Sequence, residues 1–346
     1  MARIAINGLG RIGRTFLKLA IEHPALDVVA VNDIADPKSL VYLLKYDSAY
    51  GRYTKAVGLD SNDGRTWLRL GDHRVELLHE RDPVALPWRA LGVDIVVEAT
   101  GVFESYASVR THLEAGAAHV VLTAPAKDDD TEDARTVLMG VNPEALRMTR
   151  VSSNGSCTTN SAASVVEVLR QRIGLGKAIL NTVHGYTATQ TLVDSPVRGH
   201  DLRRGRAAAA NIVPATTGAA VAVARAIPQL RGKFDGVAMR VPVLTGSLSS
   251  IVFLADRDTS VEEINNALEE AARDERWSGV LATATDPLVS SDIVGDPHAA
   301  IVDLSLTKVI DGNLCAVYSW YDNEFGFTNT LLAHVVACAA LRPVAA

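Results

Sequence analysis

A cysteine stands among small and hydroxyl side chains in Ser153-Asn154-Gly155-Ser156-Cys157-Thr158-Thr159-Asn160, directly before a helical pattern from Ser161 to Leu169 with apolar Val165, Val166, Val168 and Leu169. A thiol at a helix N-terminus feels the positive end of the macrodipole, which favours thiolate over thiol. The thiolate is a nucleophile, so a covalent reaction could begin here. Taken alone, the segment fits a buried structural cysteine equally well.

Two other stretches bear on that choice. His184 follows the strand pattern Ile179–Val183 and opens His184-Gly185-Tyr186-Thr187-Ala188-Thr189-Gln190. A strand-end histidine could serve Cys157 as a base, or it could be an ordinary surface or core residue. Farther on come Arg198, His200, Arg203, Arg204 and Arg206, then Thr216-Thr217-Gly218 and Arg240. Guanidinium groups with threonine hydroxyls and glycine N–H groups are what binding a phosphate monoester requires. A solvated basic loop or a subunit contact would show the same spacing.

An acceptor for electrons is suggested near the start. The strand pattern Ile4–Asn7 runs into Gly8-Leu9-Gly10-Arg11-Ile12-Gly13-Arg14, a helical pattern follows, and a second apolar strand, Val28–Val31, ends at Asn32-Asp33. A GxGxxG between strand and helix, with an acidic residue about twenty positions later, marks a dinucleotide site. Gly8 permits the turn, Gly10 admits the pyrophosphate, Gly13 lets helix and sheet approach, and the helix N-terminus offers the anion site. Asp33 would accept hydrogen bonds from the adenosine ribose and repel a 2′-phosphate, which favours NAD over NADP. Further strand patterns end at Thr100 and at Thr123. Both threonines are candidate cofactor neighbours, or simply turn residues at strand ends.

The elements that must position these groups divide in two. The alternation of strands and helices in the first half implies an α/β, Rossmann-type dinucleotide-binding domain over residues 1–152. From Val151 the texture changes. Strand patterns at Ala178–Val183, Val237–Val243, Ser249–Leu254, Ala300–Leu306 and Cys315–Trp320 imply an α+β catalytic domain, residues 153–320, on a mixed or antiparallel sheet. Ser260-Val261-Glu262-Glu263 reads as a capping box for a helix to about Arg273, and Asn329–Leu341 reads as a last apolar helix. Residues 321–346 are expected to return to the dinucleotide domain.

With 346 residues, 48% hydrophobic and 21% charged, the chain is long enough for two cores. A net charge of −6 argues against general nucleic-acid affinity. The three widely spaced cysteines form no metal-ligand or disulfide pattern, which suits a reducing cytoplasm. No leader is expected, because a strand pattern begins at once, and the apolar tract from Ala207 to Ile227 is broken by Asn211, Pro214 and Arg225.

The octapeptide around Cys157 resembles the active-site signature of phosphorylating, NAD-dependent glyceraldehyde-3-phosphate dehydrogenases. The resemblance runs from Ala5-Ile6-Asn7-Gly8 to Trp320-Tyr321-Asp322-Asn323-Glu324, through Leu44-Lys45-Tyr46-Asp47-Ser48, Glu80-Arg81-Asp82-Pro83, Thr182-Val183-His184, Asp201-Leu202-Arg203-Arg204 and Gly295-Asp296-Pro297-His298. It implies that Cys157 attacks the aldehyde carbon of glyceraldehyde 3-phosphate with His184 as general base, and that a thioester on Cys157 is displaced by inorganic phosphate. It further implies that Thr187 and Arg240 hold the substrate phosphate, and that Ser156, Thr158, Thr217, Gly218 and Arg204 hold the attacking phosphate. Arg203, beside Arg204, competes for that role. Arg11, Ile12, Asp33, Arg81, Thr123 and Asn323 fall at NAD-contacting positions, with Asn323 at the nicotinamide carboxamide. The family is usually a homotetramer.

The chain departs from the family pattern in several places. Ser161 stands where a second cysteine is usual and Gly155 where alanine is usual. Phe325 and Phe327 replace a common Trp and Tyr, and Val243-Leu244-Thr245-Gly246-Ser247 replaces a Thr-Pro-Asn-Val run. Two rival readings share the scaffold. One is an erythrose-4-phosphate dehydrogenase, against which Thr187 in its histidine pattern speaks. The other is a non-catalytic NAD-binding regulatory protein, which would often have lost the Cys or the His.

Overall fold

The computed structural model describes residues 1–197 and 201–341. Arg198 and His200, part of the basic cluster, lie outside the described residues. Chain contacts define two compact units. The first comprises Met1–Val137, Pro143–Gly155 and the chain from Leu331 onward; the second comprises Leu138–Asn142 and Ser156–Thr330. The divisions thus fall at Gly155/Ser156 and Thr330/Leu331, where the sequence suggested 152/153 and 320/321.

The first unit is built on a nine-stranded sheet. At its centre β1 (Ala2–Asn7) pairs in parallel with β2 (Leu26–Asn32) on one side and with Ile95–Glu98 on the other. His119–Leu122, Val151–Ser153 and Ala134–Thr136 extend the parallel array. Consecutive β1 residues Ile4, Ala5, Ile6 and Asn7 are all buried, as in a sheet covered on both faces. Trp88, Leu86 and Val93 pack with Ala5, Ala30 and Val96, while Tyr106 and Val109 pack with Val120, Leu122 and Val151. Beyond β2 comes His73–Leu78, still parallel to it, and only then does the sheet turn antiparallel through Arg65–Leu70 and Val57–Asn62. No clean period-2 pattern marks these last strands in the sequence. Their exposed polar positions and the Asn62-Asp63-Gly64 turn mask the alternation.

The second unit carries an eight-stranded mixed sheet. Lys177–Gly185 lies at its middle, parallel to Phe234–Val241 and antiparallel to Ser247–Leu254. Leu314–Tyr321 follows, then Ala300–Asp303 and Leu281–Ala284. The expected strand Ala300–Leu306 stops at Asp303, whose carboxylate accepts from the backbone N–H of Ser305 and starts a short turn of helix. The Cys157–Arg172 helix begins at the cysteine itself, four residues before the expected start, because Ser156 is its N-cap: its side chain accepts from the Thr159 N–H at 3.1 Å. Ser260 likewise caps Val261–Ala272, but Glu263 does not complete the box; its carboxylate is taken by Arg257 and Thr259. The last helix, Phe325–Ala340, starts earlier than expected because Asp322 accepts from the N–H groups of Glu324 and Phe325. Among the described residues no helix is long and apolar enough to cross a membrane.

Candidate active site and dinucleotide site

Within the second unit, Cys157 occupies the first position of its helix and is partly buried. The strand Lys177–Gly185 brings His184 to it, with Nε2 3.3 Å from Sγ. His184 is 2% exposed. Register supplies the third group. His184 and Arg240 are direct partners on adjacent parallel strands, and Nη1 of Arg240 lies 2.7 Å from Nδ1 of His184. Nδ1 also lies 2.6 Å from the carbonyl oxygen of Gly185.

Electrostatics in this cluster run against the simplest expectation from helix placement. Burial pushes the Cys157 thiol up, and the Arg240 cation and hydrogen bonding at Thr158 only partly pull it back. Burial, then Arg240, brings His184 down to about 3. Burial thus favours the thiol at Cys157 and the neutral imidazole at His184, against the pull of the Arg240 cation on the sulfur.

Two residues that the sequence reading left without a role complete the support. Tyr321 is buried, and its hydroxyl bridges Oγ1 of Thr158 at 2.9 Å and Oγ1 of Thr182 at 2.8 Å. Its ring meets that of His184 edge-on, with centroids 6.0 Å apart. It thereby fastens the first turn of the cysteine's helix to the histidine's strand. Asp322, fully buried, accepts from Thr245 Oγ1 and from the N–H of Gly295. Both lie in the Trp320–Glu324 segment, which was the available signal. Next to them Asn323 has its Oδ1 held by Ser247 Oγ at 2.9 Å, Gly246 N–H at 3.2 Å and Thr245 Oγ1 at 3.3 Å. The unusual Thr245-Gly246-Ser247 run is what fixes that amide. Ser247 and Gly246 donate to that oxygen, the Thr245 proton being shared with Asp322, and the NH2 end is left for other partners.

The remaining predicted phosphate ligands are placed unequally. Arg204, three-quarters buried, donates to Thr189 Oγ1 at 2.7 Å and to Asp201 Oδ2 at 3.3 Å, and its charge is felt at His184 and Arg240. Arg203 is exposed and, among the described residues, forms an ion pair with the far oxygen of Asp201 alone, at 3.9 Å. The two neighbouring arginines thus differ in burial and partners. Thr187 Oγ1 lies 2.9 Å from Thr189 Oγ1. Thr217 accepts from the Ala219 N–H, and Gly218 caps Ala219–Ala226 with open space where a Cβ would stand. The hydroxyl of Ser156 is already engaged in capping, with Thr159 Oγ1 at 2.8 Å.

In the first unit the glycine turn fits a dinucleotide. Gly8 has φ +98°, and a Cβ there would lie 2.6 Å from the backbone nitrogen of Thr100. A Cβ on Gly13 would stand 1.9 Å from the Gly8 oxygen, whereas nothing lies within 4 Å of one on Gly10. The exposed Gly10 caps α1 (Arg11–Ala20) with no side-chain hydrogen bond, so the helix N-terminus remains open to an anion. Asp33 Oδ2 accepts from the Leu9 N–H at 2.7 Å and Oδ1 from the Ala35 N–H, which leaves carboxylate lone pairs for ribose hydroxyls. Its neighbour Ile34 is half exposed. Arg11 is paired with Asp47 at 3.1 Å, Ile12 is partly buried, and Arg81 is exposed. Thr100 and Thr123 both direct their hydroxyls at Glu98, the first to its carboxylate and the second to its backbone oxygen. The turn-residue reading of these two threonines accounts for their hydrogen bonds.

Comparison with known proteins agrees with both halves. Residues 2–106 match the family described as glyceraldehyde 3-phosphate dehydrogenase, NAD binding domain, and residues 156–323 match its C-terminal domain. The chain belongs to the glyceraldehyde-3-phosphate dehydrogenase family. It is 47% identical to the glyceraldehyde-3-phosphate dehydrogenase of Thermotoga maritima over 96% of this chain and 97% of that one. It is 46% identical to that of Mycobacterium leprae and 43% identical to that of Geobacillus stearothermophilus, each over 95% of this chain and 96% of the relative. The protein is thus an NAD-dependent oxidoreductase with a Rossmann-type first unit and a mixed-sheet second unit.

Proposed function

We propose that the protein oxidises glyceraldehyde 3-phosphate to 1,3-bisphosphoglycerate, with inorganic phosphate as co-substrate, through a thioester on Cys157. The observation that carries this is the 3.3 Å approach of His184 Nε2 to Cys157 Sγ, beside a partly buried guanidinium that makes no ion pair with a carboxylate among the described residues. Sulfur adds to the aldehyde carbon, and the thiol proton ends on the former carbonyl oxygen. His184 Nε2 then takes that hydroxyl proton as the C–H bond breaks, leaving the carbonyl of a thioester. NAD, when bound, supplies the acceptor for the departing hydride. A phosphate oxygen attacks the thioester carbon, the C–S bond breaks, and sulfur leaves as thiolate. The thioester preserves the free energy of oxidation for the acyl phosphate, which attack by water would dissipate.

In this scheme Arg240 and Thr187 hold the substrate phosphate. Arg204, Thr217, Gly218, Thr158 and Ser156 serve the attacking phosphate, with Arg204 rather than Arg203 supplying the charge. Gly8, Gly10, Gly13, Arg11, Ile12, Asp33, Arg81, Thr100 and Thr123 serve the cofactor's nucleotide part, and Asn323 its carboxamide. Assembly as a homotetramer belongs to the same proposal. Ile179, Val183, Met239 and Leu314, on strands of the second unit's sheet, are exposed apolar side chains that a subunit contact would cover. A reducing cytoplasm is the compartment in which a free Cys157 survives.

The test is NADH formation with glyceraldehyde 3-phosphate and erythrose 4-phosphate, with and without inorganic phosphate, using NAD and NADP. Phosphate-dependent oxidation of the triose with NAD is expected. Faster, phosphate-independent oxidation of the tetrose would overturn the assignment. Sedimentation velocity checks the tetramer.

A further inference from the structure

One ring nitrogen of His184 faces two incompatible neighbours. Nδ1 lies 2.6 Å from the Gly185 carbonyl oxygen, an approach that only an Nδ1–H donor makes favourable. It lies 2.7 Å from Nη1 of Arg240, which can only donate and therefore needs a lone pair on Nδ1. A neutral imidazole satisfies one of these at a time. Arg240 Nη1 also reaches the Gly185 oxygen at 3.2 Å, so the guanidinium can satisfy that carbonyl when the ring does not.

The two arrangements have opposite consequences on the other side of the ring, where Nε2 faces Cys157 Sγ. While Arg240 donates to Nδ1, the ring proton sits on Nε2, and Nε2 can only donate. Once Nδ1–H donates to Gly185, Nε2 presents a lone pair and can receive a proton. A separate observation shows that the guanidinium is unsatisfied where it is: its Nε is buried without a hydrogen-bond partner among the described residues. Among the described residues the titratable groups acting on it are His184, Cys157, Tyr321 and Arg204, and none of them is a carboxylate.

We infer that Arg240 is a positioning residue that selects the tautomer of His184, holding it as the Nε2–H donor until an anion captures the guanidinium, and so coupling phosphate binding to arming of the base. The exchange is balanced: the Nε2 proton passes to water, Nδ1 gains one from water, and net charge is unchanged. The Arg240 cation is also second only to burial among the causes that hold His184 low, so its neutralisation acts in the same direction. An aldehyde without the phosphate group would meet a histidine unable to accept a proton. The phosphate, remote from the reacting carbon, thereby contributes to the chemical step as well as to binding.

The tautomer exchange presupposes the substrate-phosphate site proposed above, and its test is separable from that proposal. The full-length protein, with NAD bound and its histidines labelled with nitrogen-15, is observed by two-bond proton–nitrogen correlation. Signals of His184 are assigned from those lost in His184→Asn. The expected result is the Nε2–H tautomer without ligand and the Nδ1–H tautomer with saturating glycerol 3-phosphate, an analogue that cannot be oxidised. Arg240→Leu should show Nδ1–H without any ligand. The same tautomer in all three samples overturns the inference; should Arg240→Leu not fold, the wild-type pair of spectra decides alone. An unchanged tautomer in an enzyme that forms NADH from the triose sinks the inference and leaves the function intact. A switched tautomer without NADH formation does the reverse.

Discussion

Tyr321 and Thr182 meet at 2.8 Å through their hydroxyls, and the same tyrosine oxygen lies 2.9 Å from Thr158. One phenol thus ties the strand that ends in His184 to the helix that begins with Cys157, near the point where Sγ and Nε2 meet. Removing the hydroxyl should loosen the pair without removing either reactant. Tyr321→Phe leaves two buried threonine hydroxyls short of a partner, at a cost of about 1–3 kcal/mol. Its thermal midpoint should fall. Its kcat should fall less than that of His184→Asn, and a kcat loss as large as that variant's would mean that the phenol takes part in the chemistry.

His184→Asn removes the only ring nitrogen within reach of Sγ among the described residues. Positioned acid–base help is worth roughly 10²–10⁴-fold, and a loss of kcat in that range is expected, with a thioester still formed slowly. Steady-state NADH formation and mass spectrometry of the acylated protein check both parts. Unimpaired turnover would remove His184 from the mechanism.

The pH profile follows from the directions of the two shifts. His184 is held at about 3, so it is neutral throughout the working range, whereas the Cys157 thiol is raised. For the free enzyme, kcat/KM should therefore climb through neutral into alkaline pH as the thiol ionises. No acid limb should appear near the ordinary histidine value of 6.5. A limb there that vanishes in His184→Asn would contradict this.

Stability should respond to acid through buried histidines in both units. His334, fully buried, donates from Nδ1 to Asn154 Oδ1 and has Nε2 2.7 Å from the Ser152 hydroxyl, and burial brings it down to about 3, as it does His184. Between about 3 and 6.5 the unfolded chain binds protons that these folded sites refuse. Stability is therefore fully present above 6.5 and lost as pH falls, with each histidine contributing up to about a tenfold change in the folding equilibrium per pH unit. Thermal midpoints measured across that window should fall on acidification. His334→Gln should flatten the slope, and an unaltered slope would refute its part.

The glycine turn permits a paired comparison. Gly13→Ala places a methyl group 1.9 Å from the Gly8 oxygen and should destabilise the first unit by about 1–3 kcal/mol or more. Gly10→Ala meets nothing within 4 Å and should leave the thermal midpoint unchanged while weakening NAD binding, because the methyl fills space the pyrophosphate needs. Calorimetric titration with NAD separates the two. Equal NAD affinity in Gly10→Ala and wild type would place the pyrophosphate elsewhere. Asp33→Asn should keep the Leu9 contact yet lose the charge, shifting preference from NAD toward NADP.

Much of this was legible in the order of residues. GxGxxG between a strand and a helix, with Asp33 at the end of the next strand, depends on local backbone geometry, and local patterns survive in sequence. The same holds for Ser156-Cys157, because a helix cap is made within three residues. Family membership was likewise readable, since the matched segments are ordered along nearly the whole chain. The Val57–Leu78 strands were not, because their exposed faces carry no clean alternation.

What sequence could not decide was whatever depends on strand register and burial. Nothing in the spacing of His184 and Arg240 makes them neighbours; the parallel pairing of their strands does. Arg203 and Arg204 are equivalent as letters, and only the folded loop turns one inward and the other out. Position at a helix N-terminus pointed to thiolate, whereas burial pushes the thiol up, because desolvation depends on every atom packed around sulfur and not on its neighbours along the chain.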